Sequence, residues 1–274
     1  MTTTHKAALR RHWWQRKPSI TAVRLEGVIT AGGLRGSGLN LFAVDRALQA
    51  AFRHRRALEV ALFVNSPGGA PVQAAYIHDR IRWLAERHRK RVTVFVEDIA
   101  ASGGYWIALA GDEIVAAPSS IVGSIGVITA GFGFDRALER LGIDRRLYAT
   151  GAHKGMLDPF RAEDAGDVAI LEDLHADTYR LFVDLVRERR GDRLDPGAEL
   201  FDGRVFSGTR GQQVGLVDTV GDPFSILRER YGRDLKVRVY APRPLPWWRR
   251  LSGESAAELA TRLEHRLLWG RYGL

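Results

Sequence analysis

Cysteine is absent from all 274 residues, which excludes disulfides and thiolate metal sites. No apolar run reaches the ~18 residues needed to cross a bilayer. The first eighteen residues carry charge but no apolar stretch, so no cleavable signal peptide is expected. Neither His-Glu-x-x-His nor a Walker-type phosphate loop occurs, and the carboxylates are scattered, so neither a metal nor a cofactor is expected. Lysine is scarce: of 41 basic residues only Lys6, Lys17, Lys90, Lys154 and Lys236 are lysines. Where any cation serves, this chain uses arginine, which keeps its proton; a desolvated lysine can release one.

Hydrophobic residues make up 45% and charged residues 27%, ordinary for a chain with a real core. The net charge of +9 is concentrated at the ends. Residues 1–18 hold Lys6, Arg10, Arg11, Arg16 and Lys17 and no acid, while 242–274 hold six arginines against Glu254, Glu258 and Glu264, leaving the body at +1. Both ends carry a tryptophan pair, Trp13-Trp14 and Trp247-Trp248. Two readings stand for them: a solvated tail, or peripheral contact with an anionic membrane, where Arg and Trp suit the interface. Nucleic acid would attract the same charge but is not expected as a partner.

Residues 19–30 alternate like a strand, and a Gly-rich loop follows over 32–38. Asn40 caps a predicted helix over 41–54. Leu58–Val64 reads as a buried strand ending in the turn Asn65-Ser66-Pro67-Gly68-Gly69, and Pro71 opens a helix to about Arg89. Val92–Val96 is the next strand, leading into Ile99-Ala100-Ala101-Ser102-Gly103-Gly104-Tyr105-Trp106. Strand, helix, strand, helix in that order implies parallel βαβ units with right-handed crossovers. Further strands are expected at 112–116, 121–128, 144–149 and 236–240, with helices at 134–141 and 162–190 and smaller elements at 204–218 and 222–231. Pro242, Pro244 and Pro246 mark a boundary before a final amphipathic helix near 251–269. The expected organisation is a basic N-terminal segment (1–18), an α/β domain (19–241) and a C-terminal helical extension (242–274).

Ser102 sits where a strand ends and a helix begins, among Ala100, Ala101, Gly103 and Gly104. It is either an N-cap or a nucleophile that a substrate backbone can approach closely. Helix N-terminal amides suit a developing oxyanion. The Gly68-Gly69 corner closes a neighbouring parallel strand and could add a second donor; an ordinary turn is the alternative. A nucleophile needs a base. Among eight histidines, at 5, 12, 54, 78, 88, 153, 175 and 265, only His153 lies in a Gly-rich loop, and its neighbour Lys154 competes for the role.

Four segments taken together resemble the signal peptide peptidase A family of serine proteases, Ser–Lys dyad enzymes on the Clp-protease/crotonase-like fold. They are Asn65-Ser66-Pro67-Gly68-Gly69, Ala101-Ser102-Gly103-Gly104-Tyr105, Gly123-Ser124-Ile125-Gly126-Val127, and Lys154 followed by Asp158-Pro159-Phe160, in the family's order. The resemblance covers roughly 20–230. It implies Ser102 as nucleophile, Lys154 as general base, Ser124 orienting the lysine amine, and Gly69 and Gly103 supplying oxyanion N–H groups. It also implies peptide substrates with small or apolar side chains and a ring-like homo-oligomer. Family members usually carry an N-terminal membrane span. None is expected here, so the expected location is cytoplasmic, peripheral to the inner membrane. A lysine works as base only when uncharged, so activity is expected to rise toward alkaline pH. Two rivals remain: an acyl-CoA enzyme on the same fold, which needs an acid or base carboxylate at the site, and a non-catalytic membrane scaffold.

Overall fold

Runs of Val, Ile and Phe build the centre of the molecule, because β-branched and aromatic side chains fit a pleated surface buried on both faces. The computed structural model describes residues 17–31, 38–241 and 266–274. Strands β1 (Ser19–Glu26), β2 (Ala57–Ser66) and β3 (Arg91–Ala101) are parallel neighbours. Helices α1 (Leu41–Arg53) and α2 (Pro71–His88) make the crossovers. The expected signals hold: Asn40 Oδ1 accepts from Ala43 N–H at 3.1 Å, and Pro71 stands in the first turn of α2. A last strand, β8 (Lys236–Tyr240), pairs in parallel with β1 at the sheet edge.

Alternate residues of each strand face opposite layers. Val60, Leu62, Val64, Val92, Val94 and Val96 pack with α1, α2 and α3 (Gly103–Ala108) in the larger core. Ala61 and Phe95 turn the other way, into a smaller core closed by Leu227 of α7 (Pro223–Tyr231).

β3 is the hinge of the topology. Its residues 93–96 pair with β4 (Glu113–Ala116), and its residues 99–101 pair with β5 (Ile121–Gly123) on the same edge. Between them β3 bulges, since Val64 faces Val96 but Ser66 faces Ala100. Asn65 staples the bulge: its Oδ1 accepts from Ile99 N–H at 3.2 Å, and its amide donates to Asp98 at 2.9 Å. β6 (Val205–Ser207) runs antiparallel to β5 and leads into α6 (Gly208–Gln213), and β7 (Thr219–Val220) extends the sheet beyond β4.

From Gly126 to Leu181 no residue is buried. This arm carries α4 (Asp135–Arg140) and most of α5 (Ala165–Arg190), whose last third anchors it through Phe182, Val183, Val186 and Arg190. The strand expected at 144–149 does not form; the arm leaves the sheet, so that stretch has no open edge to pair with. The strand expected over 121–128 stops at Gly123, where positive φ at Gly123 and Ser124 turns the chain outward. The basic, tryptophan-bearing end segments, the loop over 32–37, the three prolines and most of the final helix lie outside the described residues; residues 266–270 are helical, as expected. None of the described helices is long and apolar enough to cross a membrane.

Candidate active site

Parallel pairing brings two serines together. Because Ala101 pairs with Gly123, the residues that follow, Ser102 and Ser124, emerge side by side at the carboxyl ends of β3 and β5. Ser102 N–H donates to Gly123 O at 2.8 Å, and Ser124 N–H to Arg204 O at 2.8 Å, which fixes both turns. Carboxyl ends of parallel strands are where such sheets hold their ligands.

Ser102 has φ 51° and ψ −121°, the conformation of the first central residue of a type II′ turn, which favours glycine. Holding a side chain there costs on the order of 1–3 kcal/mol. Its hydroxyl makes no capping bond to α3. The N-cap alternative therefore accounts for its position but not for its strained backbone, nor for a hydroxyl left free toward the cavity.

The Gly68-Gly69 corner packs against this turn. Ser66 Oγ donates to Gly27 O at 2.7 Å, Ile29 N–H to Gly68 O at 2.8 Å, and Ala70 N–H to Ile29 O at 2.8 Å. A Cβ on Gly69, at φ 134°, would collide with the Ile29 carbonyl, and one on Gly68 would lie 2.9 Å from Ser102 Cβ. A Cβ on Gly103 would lie 3.5 Å from Gly69 N, so the two amides adjoin. Among the described residues neither the Gly69 nor the Gly103 N–H has a hydrogen-bond acceptor. Two free donors beside a serine hydroxyl can receive an oxyanion.

Ser102, Ser124, Gly69 and Gly103 all line one cavity of about 680 Å³. Its apolar wall includes Trp106, one turn beyond Ser102, stacked on Phe182 at 4.8 Å between centroids. Tyr179 and Phe201 continue that wall, joined by a 2.7 Å bond from the Tyr179 hydroxyl to Phe201 O. Among the described residues Asp202 is the carboxylate of the lining, and hydrogen bonds from Arg204 hold it below the usual carboxylate range. It stays ionised and paired, unsuited to carrying a proton near neutrality.

Lys154 is not brought to this cavity: it stands exposed on the arm, in the turns over 151–157. His153 beside it is exposed too and pairs with Asp167 at 2.6 Å. Among the described residues the histidine that lines the cavity is His175, whose Nε2 shares a hydrogen bond with Thr129 Oγ1 at 2.8 Å. Sequence reasoning passed over His175, Trp106 and the Asn65 staple. A serine-to-tryptophan spacing of one helical turn was the signal available for Trp106; the other two depend on contacts between distant segments.

Helices on a mostly parallel sheet, with glycine corners gathered round a serine at the strand ends, define an α/β protein of the Clp-protease/crotonase-like fold. The chain belongs to peptidase family S49, whose family description matches residues 85–229. A protein of Brucella melitensis named Na(+)/H(+) antiporter NhaA is 45% identical over 272 residues, covering 93% of this chain and 37% of that protein. A putative signal peptide peptidase SppA of Enterococcus faecium is 34% identical over 162 residues, 59% of this chain and 47% of that protein. A putative protease of Synechocystis is 30% identical over 205 residues, 75% of this chain and 70% of that protein. The chain thus spans less than half the length of the first two. Among solved structures, a membrane-bound stomatin-specific protease bound to a substrate peptide superposes with a TM-score of 0.51 at 15% identity, covering 86% of this chain and 97% of that one.

Proposed function

We propose that this chain is a serine endopeptidase in which Ser102 is the nucleophile, Lys154 the general base, Ser124 the group that orients the lysine amine, and Gly69 and Gly103 the oxyanion donors. The observation that carries the reading is the strained Ser102 turn beside two free glycine amides. Uncharged Lys154 Nζ takes the Ser102 Oγ proton as Oγ bonds to the scissile carbonyl carbon. The oxyanion that forms accepts from the Gly69 and Gly103 amides. As it collapses, the C–N bond breaks and the lysine returns its proton to the leaving amine. Water then attacks the acyl-enzyme and gives a proton to Lys154; as that adduct collapses the ester C–O bond breaks, Lys154 passes the proton to Ser102 Oγ, and the acid is released. The aromatic wall suits peptides with apolar side chains.

This chemistry needs Lys154 at Ser102, and assembly supplies a route. The arm exposes Ile128, Phe132, Leu141, Ile143, Tyr148 and Leu157, large apolar side chains that an interface would cover. A homo-oligomer would cover it and carry each Lys154 to a neighbouring Ser102. The working location is the cytoplasmic face of the inner membrane, held peripherally by the basic ends. Because similar sequence makes up 37% of a protein named as an antiporter, a membrane cation/proton antiporter is the proposed neighbour there. The acyl-CoA alternative loses ground, because Asp202 is tied to Arg204.

The test is fluorophosphonate labelling beside cleavage of casein. Ser102→Ala should abolish both, and Lys154→Arg, which keeps the charge but not a removable proton at neutral pH, should lower turnover by at least about 100-fold. Undiminished labelling of Ser102→Ala would end the reading.

A further inference from the structure

The cavity beside Ser102 is walled in part by the chain itself. Leu268, Arg271 and Tyr272 line it, although 144 residues separate Leu268 from Ser124 in sequence. These three positions fall on one face of a helical turn, the spacing that lets neighbouring side chains enter a groove together. Leu268 and Tyr272 are half-buried there. The Tyr272 hydroxyl donates to Ser124 Oγ at 3.4 Å. A phenol at that distance fills the space beside the hydroxyl that the proposed mechanism assigns to the lysine amine. Lys154 is meanwhile outside the cavity.

We infer that residues 266–274 are an intramolecular occupant of the cleft, holding the site latent by seating Leu268 and Tyr272 where an apolar peptide binds and where Lys154 must enter. The inference rests on the proposed function for what the cleft accepts, not for the contact itself. A covalently attached occupant competes at an effective concentration in the millimolar range, whatever its intrinsic affinity. An incoming peptide must displace it, and the displacement frees Ser124. Latency is relieved by peptide rather than by a separate activator, so weakly held peptides are excluded.

Two measurements separate this inference from the proposed chemistry. The first needs no catalysis. A fluorescein-labelled peptide with the sequence of residues 266–274 is titrated into Ser102→Ala protein, with and without deletion of 266–274. Binding about tenfold tighter to the deleted chain is expected, the intramolecular competitor being gone. Equal affinity for both chains, or no binding to either, overturns the inference. The second is the rate of fluorophosphonate labelling of Ser102, expected to rise about tenfold on deletion and to fall again when the unlabelled peptide is added back. The double variant Leu268→Ser/Tyr272→Ala, checked for native circular dichroism, repeats both arms without shortening the chain. If peptide binding responds but no variant labels, the cleft is occupied as inferred and the nucleophile assignment fails instead.

Discussion

At the scale of the residue, Ser102 is where local preference and local need disagree. Its φ of 51° would suit glycine, yet the proposed chemistry needs a hydroxyl there. Ser102→Ala keeps the strain and removes the proposed nucleophile; Ser102→Gly removes both. Relief of about 1–3 kcal/mol of strain, less about 0.4–1 kcal/mol for the freer unfolded glycine, leaves Ser102→Gly about 1 kcal/mol more stable than Ser102→Ala. Urea midpoints at unchanged slope measure this difference; equal midpoints would show that the turn stores no strain. The small residues around Ser102 were readable from the sequence because crowding is written in side-chain size. The strain was not, since it arises from how β3 meets β5.

At the scale of the element, the sequence was most legible where one helix or strand carries its own signals. Asn40 and Pro71 each name an element boundary without reference to anything distant. It was least legible where meaning lies in a pairing, as with the β3 bulge, or in the way α7 docks. In the sequence Arg230 and Tyr231 only end a small element, but in the fold they close over Glu59, a fully buried carboxylate of β2. Glu59 Oε2 accepts from the Tyr231 hydroxyl at 2.8 Å, from Arg230 at 3.2 Å and from Thr93 at 3.3 Å, while Arg230 also reaches Glu113 at 2.7 Å. Burial, and then the hydrogen bond to Glu59, push the Tyr231 phenol up to about 12. The native state therefore holds the Tyr231 proton in a range where the unfolded chain gives it up. The stability this contributes is full below about pH 10, the phenol's ordinary value, and is lost as pH rises through about 12. Melting temperatures measured from pH 9 to 12 should fall less steeply in Tyr231→Phe than in the parent. Some slope persists, because the Tyr105 phenol, wholly buried and bonded to Leu216 O at 2.8 Å, is also raised. Identical slopes in the two proteins would mean that the α7 dock is indifferent to that proton.

At the scale of the whole molecule, the described chain is a body that owns the serine and an arm that owns the lysine. The outer part of the arm braces itself with aromatics: Phe134 lies 6.2 Å from Phe132 and 5.7 Å from Phe160 between centroids. A second tie, Arg145 to Asp158 at 3.2 Å, keeps the Lys154 turns together as a unit. Such a self-braced arm can present Lys154 to another subunit with little ordering cost on assembly. If each site pairs one subunit's Ser102 with its neighbour's Lys154, two inactive proteins should repair each other. Ser102→Ala and Lys154→Ala, each expected to be inactive alone under the proposed mechanism, are mixed in equal amounts under conditions that exchange subunits. Random neighbours then give about a quarter of the sites an intact serine and an intact lysine, so about a quarter of the parent labelling rate returns. If the dyad instead forms within one chain, every site in the mixture lacks one partner and no rate returns. Charge reversal on the arm, Arg145→Glu, loosens the Lys154 turns and should lower the recovered rate without altering peptide binding to the body. That split between recovery and binding distinguishes a delivered lysine from a general loss of folding.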